Sequence, residues 1–295
     1  MVALAGFYGT RGIGTTSTVD QPLDFLNENL AVNETFIDRN GLRGTRSRLI
    51  EPMRVGLRRI EGQITLQPTA VELSYLLPWI LGAAASGTTY ALAETVPERY
   101  VTVDRSDGTD GKVFTYDGVK VNRATFRCSQ GELLTVVLDL VGKDETVANA
   151  GTFPSLTLDT TTAPFTFSDC AISVGGTTYN SRDIEIVVDN RLDTERFFNS
   201  NTRTAIVAQD REISVNLNLG YGDAEAAYNT GIGGVAVTAT FTNSAVSCLF
   251  SFVKVLFPRR SPTIPGKQEI MLPLQGMAKK SSTTNELVVT LDSTP

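Results

Sequence analysis

Apolar and polar residues alternate over residues 60–66: Ile60, Ile64 and Leu66 share one face, with Gly62 in the remaining slot. That pattern predicts a strand with one buried face. The period then changes. Thr69 followed three residues later by Glu72 is a capping box, in which the hydroxyl and the carboxylate each satisfy an orphan backbone N–H. Leu73, Leu76, Leu77 and Ile80 follow at helical spacing, with Trp79 beside Pro78, and these five residues (Leu73, Leu76, Leu77, Trp79, Ile80) are the predicted packing face of a flanking helix. Pro78 has no N–H and should bend or tighten the last turn. Gly82 stands where a left-handed C-terminal cap needs it.

The same plan returns later in the chain. Ile213, Val215, Leu217 and Leu219 alternate strictly, Asp223 is placed to cap a second, shorter helix, and Gly231 is placed to end it.

The remaining segments complete two similar series. Residues 1–20, rich in Gly, Thr and Ser, read as an irregular arm; strand character runs from 23 to 37. A long polar connection, residues 38–53, carries Arg39, Arg43, Arg46 and Arg48, with Arg54 just after it. Residues 90–103 are extended, 116–127 and 132–141 are strands joined by a hairpin turn at 129–131, and 148–154 is a linker. In the second series, 165–172 and 182–188 are strands, and 189–203 is a polar connection bearing Arg191, Arg196 and Arg203. Strands follow at 235–241, 248–257 and 286–291, and residues 265–276 line up with 129–142. The expected architecture is mainly β, with two tandem β-sandwich or barrel units, residues 1–150 and 151–295, each with a flanking α-helix.

Composition narrows the chemistry. The chain has 295 residues, 41% of them hydrophobic, so a full-sized core needs no staples. It contains no histidine, which removes Ser-His-Asp and Cys-His machinery and histidine-ligated zinc. Its three cysteines, Cys128, Cys170 and Cys248, are odd in number and form no C-x-x-C pair, so a disulfide framework is not expected. The net charge of −6 argues against a general nucleic-acid-binding surface. No signal peptide and no membrane span are expected.

Other motifs read as turn chemistry. Gly9 to Gly14 is glycine-rich but lacks the G-K-[ST] ending of a phosphate loop. Asp104, Asp107 and Asp110 lack the spacing and the closing Glu of an EF-hand, so no metal is expected there. Asp183 and Glu185 lie on one face of a predicted strand; they are candidates for a carboxylate pair or, more simply, solvent-facing strand positions. In an acidic chain the clustered arginines of the two long connections suggest an acidic partner surface.

The run from Gly56 through Leu66, the helix from Leu73 to Gly82, the segment Asp117-Gly-Val-Lys-Val-Asn-Arg123 and the strand Asp183-Ile-Glu-Ile-Val-Val-Asp-Asn190 resemble the major tail tube proteins of long-tailed bacteriophages. The resemblance covers most of the chain and implies a structural, non-enzymatic virion protein without cofactors. It implies a β-sandwich with a flanking helix, sheets joined between neighbours around a channel, six units per ring, and rings stacked into a tube. Tape-measure protein and phage DNA would occupy the lumen, and tail tip and terminator proteins the ends. The protein would be made in the host bacterial cytoplasm. By position, residues 38–53 match the family's inter-subunit loop and 189–203 their counterpart. On that basis the inter-subunit residues are Arg39, Arg43, Arg46, Arg48, Arg54, Arg191, Arg196 and Arg203. A duplicated chain would need three copies per ring, a pseudo-hexamer; if the second half is only a decoration, six copies are needed.

Three other readings remain open at this stage: a carbohydrate-binding β-sandwich, a carboxylate hydrolase using Asp183 and Glu185, and another tail component such as a terminator or decoration protein. The single tryptophan weighs against the first, because sugar sites favour aromatic platforms.

Overall fold

The computed structural model describes residues 11–39, 47, 50, 53–105, 110–221, 233–259, 261–264 and 266–294. The first series comprises β1 (Arg11–Gly14), β2 (Gln21–Pro22), β3 (Phe25–Glu28), β4 (Ala31–Ile37), β5 (Arg54–Leu66), α1 (Ala70–Leu81), β6 (Thr89–Ala91), β7 (Arg99–Asp104), β8 (Lys112–Ser129), β9 (Thr135–Gly142) and β10 (Asp144–Asn149). The second comprises β11 (Cys170–Val174), β12 (Thr177–Tyr179), β13 (Ser181–Asp189), β14 (Leu192–Asp193), β15 (Val207–Ala208), β16 (Glu212–Gly220), β17 (Val235–Asn243), β18 (Val246–Leu256), β19 (Met271–Lys279) and β20 (Val288–Asp292). Every described strand pairing is antiparallel, and all strands except the β14–β15 ribbon belong to one connected system. The chain is mainly β.

The central array reads β4-β5-β9-β8-β13-β16-β19-β18. Its first four strands come from the first series and its last four from the second. Strand β8 is long because it serves two neighbourhoods. Its first part pairs with β7 and β10, and its second part with β9 and β13. Strand β18 divides in the same way, between β17 and β20 along most of its length and β19 at its end. Strand β1 lies against β7 as β11 lies against β17.

Alternation explains the packing. On β16, Ile213, Val215, Leu217 and Leu219 are all buried, and Asn216 and Asn218 face the other way. One core cluster runs through both series and contains Ile60, Ile64 and Leu66 as well as the β16 residues. Helix α1 is capped as its sequence predicts. Thr69 Oγ1 accepts from the Glu72 N–H at 3.2 Å, and the Glu72 carboxylate accepts from the Thr69 N–H at 2.9 Å. Leu73, Leu76, Leu77, Trp79 and Ile80 are fully buried, and Trp79 Nε1 donates to the Val119 carbonyl at 3.1 Å. The helix continues through Pro78 to Leu81, and Gly82, at φ +98°, closes it by donating to the Pro78 carbonyl. The expected second helix at 223–231 lies outside the described residues.

Several predicted segments differ in detail. Residues 11–14 of the expected arm form β1, because β7 offers a free edge. The expected strand over 23–37 is broken at Asn29 and Leu30, where the main chain of Leu30 crosses Gly62. A Cβ built at Gly62 would lie 2.4 Å from the Leu30 Cα, so only glycine allows this approach. Residues 165–169 do not begin a strand. Asp169 accepts from the Thr166 N–H at 2.7 Å and folds Phe167–Asp169 into a 3-10 turn, so β11 starts at Cys170. Residues 148 and 149 of the expected linker end β10.

Candidate assembly interface

Among the described residues the central array has an open strand edge near each end. At one end, β4 pairs with β5 on one side only among the described residues. At the other, β18 leaves β19 after three paired positions, so that among the described residues β19 pairs from Met271 to Gly276 with β16 alone, and residues 257–259 and 261–264 follow β18 as coil. Both ends expose apolar side chains: Leu26, Phe36, Ile37 and Val55 near β4, and Ile264, at 78% exposure, beyond β18. Exposed strand edges with apolar residues favour association.

Between these ends the array carries a seam where the two series meet. Strands β8 and β13 pair from Arg123↔Asp189 to Ser129↔Asp183. The seam is covered on its core face by Ala124, Phe126, Ile184, Ile186 and Val188, all buried.

The opposite face of the array is polar, and its rows cross the seam unbroken. One row runs Gln63, Asp139, Arg123, Asp189, Glu212 through successive paired positions. A second runs Thr135, Arg127, Glu185, Asn216, Gln275. Gln63 donates to Asp139 and Asn216 to Glu185, each at 2.8 Å. The candidate carboxylate pair Asp183 and Glu185 therefore sits in this polar face, with Glu185 already hydrogen-bonded across the sheet.

The connection from β13 to β16 lies over the first series. Arg203 is buried. Its Nη1 donates to the carbonyls of Ile60 and Gly142 at 3.0 and 3.1 Å, its Nε to Thr194 at 2.8 Å, and its Nη2 pairs with Glu61. Ile60 and Gly142 are the last paired positions of the β5–β9 ladder, where carbonyls lose their strand partners. Beyond that point Asn201 takes the place of a strand, accepting from the Arg58 N–H and donating to Val55 and Gly56, each at 2.8 Å. Asn190 is buried and donates to Val121 at 3.0 Å and to Ile80, at the end of α1, at 3.3 Å. Leu192 and Ile206 pack with Val96 and Val141 as a small second cluster.

The predicted connection residues thus divide. Arg203 is an interior anchor within the chain, Arg191 pairs with Glu212 and Arg196 with Asp193 at the surface, and Arg54 opens β5 opposite Ile37. Arg39 is exposed just past β4, whereas Arg43, Arg46 and Arg48 lie outside the described residues. Asn190, Asn201 and Glu61 were not singled out by sequence, since no spacing marks an amide that will meet an open carbonyl. Asp107 of the acidic turn is likewise outside the described residues, and among those described no group of three or more carboxylate or cysteine side chains is placed to hold a metal ion. Burial pushes the Cys128 thiol up to about 11 and the Cys170 thiol up to about 12. Among the described residues no helix is long and apolar enough to cross a membrane.

No curated protein matches the chain. A family description, "Phage tail tube protein", matches residues 5–278, nearly the whole sequence, and the chain belongs to that family.

Proposed function

We propose that three copies of this chain close into a pseudo-hexameric ring and that such rings stack into the tube that conducts DNA. Membership of the family gives the chain a structural role in the phage tail; the ring, its stoichiometry and the channel are this proposal. The observation that carries it is the central array, in which two sets of four strands in matching order stand side by side and, among the described residues, leave one side of β4 and one side of β19 from Met271 to Gly276 unpaired. Units divided near 1–150 and 151–295 account for that match, and a closed ring removes the two edges. Contacts between unlike faces stack rings into a filament.

In this reading the polar face lines the channel. Its two rows hold Asp139, Asp189, Glu212 and Glu185 against Arg123 and Arg127, an excess of carboxylates that repels phosphates rather than gripping them. Connection 189–203 supports the proposal, because its Asn201 and Arg203 hold it against β5 and β9; residues 38–53, with Arg39, Arg43, Arg46 and Arg48, would make comparable contacts toward another copy or ring. The lumen would hold DNA and tape-measure protein, and the tube ends would meet tip and terminator proteins.

Electron microscopy of the purified chain, with light scattering on the same sample, tests this. Hollow rings or tubes with three chains per ring are expected. Six chains per ring would overturn the stoichiometry, and a stable monomer at high concentration, in the presence of tail tip as initiator, would overturn the assembly.

A further inference from the structure

We propose that Cys128 and Cys170 form a paired oxidation site: both are free thiols in the folded chain, and a small-molecule disulfide met outside the cell converts them into one bond that braces the β-sandwich. The inference does not rest on the ring proposal.

The two cysteines face the core from different strands that meet there. On β8, Ala124, Phe126 and Cys128 alternate on the core face, and all are buried. On β11, Cys170 stands in line with the buried Ile172 and Val174 and pairs in register with the buried Phe241 of β17. Phe126 and Phe241 each pack edge-on against Phe250 of β18, with ring centroids 5.1 and 6.2 Å apart, so the core closes beside the two sulfurs. The turns bring the cysteines closer still. The Glu132 carbonyl accepts from the Cys128 thiol at 3.8 Å and from the Phe167 N–H at 3.1 Å, and the Cys170 N–H donates to the Phe167 carbonyl. The Cys128 sulfur therefore lies against the start of the 3-10 turn whose end is Cys170. A β-sandwich accommodates a disulfide that spans its two sheets.

Both cysteines line one cleft of about 520 Å³, which admits a small reagent, whereas Cys248 lies outside it and is fully buried. Cys170 is half-buried and meets the reagent first. Its thiolate attacks one sulfur of the small disulfide, forming a mixed disulfide and expelling one small thiolate. The Cys128 thiolate then attacks the Cys170 sulfur and expels the second. The protein gives up two protons and two electrons, and one small disulfide becomes two small thiols. Burial is the main influence keeping both thiols protonated, followed by Glu132 and Asp169 at Cys128 and by Cys128 and Asp169 at Cys170. Exchange is therefore slow, and the pair stays reduced while the chain folds. The bond ties β8 of the first series to β11 of the second and closes residues 129–169 into a loop, which restricts the unfolded chain.

The test uses the full chain, purified with reductant and then held in native buffer with excess oxidised glutathione. Remaining thiols are alkylated after denaturation, and the protein is weighed intact and as peptides. The expected product has lost two hydrogens, joins the peptides of Cys128 and Cys170, and carries one alkyl group, on Cys248, where the reduced chain carries three. The same reagent in urea should give mixed pairings and glutathione adducts that include Cys248. Oxidation should raise the thermal midpoint of the parent by about 5–10 °C and leave that of Cys170→Ser unchanged. Three alkylated cysteines after native oxidation, a native bond that uses Cys248, or a glutathione adduct that never resolves into the bond between Cys128 and Cys170 would overturn the pairing. A bond formed without a rise in the midpoint would overturn its bracing role.

Discussion

Arg203 donates from Nη1 to the main-chain carbonyl of Ile60 at 3.0 Å, tying the connection between β13 and β16 to the end of the β5–β9 ladder. The guanidinium is buried, so its hydrogen bonds replace water that cannot reach the Ile60 and Gly142 carbonyls. Arg203→Ala strands both acceptors and leaves Glu61 without this cation. A loss of about 2–4 kcal/mol is expected in urea denaturation. Arg203→Lys should recover only part of it, because an ammonium cannot reproduce the planar fork that reaches three carbonyls and a carboxylate. A lysine variant as stable as the parent would show that charge alone holds the connection.

Trp79 is the second anchor, and it is also a probe. It is fully buried and donates to Val119, so it reports the docking of α1 on β8. As the only tryptophan, it makes intrinsic fluorescence a single-site signal. The native emission should be blue-shifted and should move red in the same transition as the loss of β-sheet ellipticity. Trp79→Phe removes the donor and leaves a gap, and Trp79→Ala removes most of the buried ring, an expected loss of about 3–5 kcal/mol for the alanine variant. Emission that shifts well before the sheet unfolds would show that α1 detaches independently.

These two anchors show where sequence was informative. Trp79 and its leucine neighbours were legible because a helix with one buried face repeats its apolar residues at a fixed period, and the capping box marks its start. Strands β5, β9, β13 and β16 were legible for the same reason, with period two. Strand β10 was missed, since most of its residues are exposed or half-buried and no face repeats. The break between β3 and β4 depends on the Leu30 main chain crossing Gly62, a contact that spacing does not encode. Arg203 read as an inter-subunit residue because its partners within the chain are backbone carbonyls that become available only once β5 and β9 have paired. That β8 pairs with β13 was not legible, because pairing between strands far apart in the chain leaves no local period.

Glu72 carries a pH signature. Burial raises its carboxyl above the ordinary value near 4.5, against the lowering effect of the N–H groups of Thr69 and Asp24 that it accepts. With the folded value raised, the native state holds this proton at pH values where the unfolded chain has released it. Stability from this group is therefore greatest below about 4.5 and falls as pH rises toward the folded value. Glu72→Gln should flatten that part of the profile, while losing one accepted N–H, about 1 kcal/mol. Denaturation midpoints measured from pH 4 to 7 test it; parallel profiles for the two proteins would refute the raised value.

The polar rows make a prediction about cargo. Asp139→Lys combined with Glu185→Lys reverses charge at two exposed-face positions without touching the core. Rings and tubes of normal width should form, and their lumen should now retain a short DNA duplex. Retention should fall steeply as salt rises, because each phosphate contact releases counterions. Variant tubes that pass DNA as the parent does at low salt would remove this face from the channel.

Deleting residues 43–48 addresses stacking. The deletion removes Arg43, Arg46 and Arg48, while the described core and both array ends keep all their residues. Rings should form normally, but tubes should be shorter and should lose less length as salt is raised. Exposed ion pairs contribute about 0–1 kcal/mol each, so the effect depends on several arginines acting together along a tube of many identical contacts. Screening by salt should shorten parent tubes in the same direction as the deletion. Tube lengths and salt response equal to the parent's would mean that these arginines do not join rings, and that stacking rests on other surfaces.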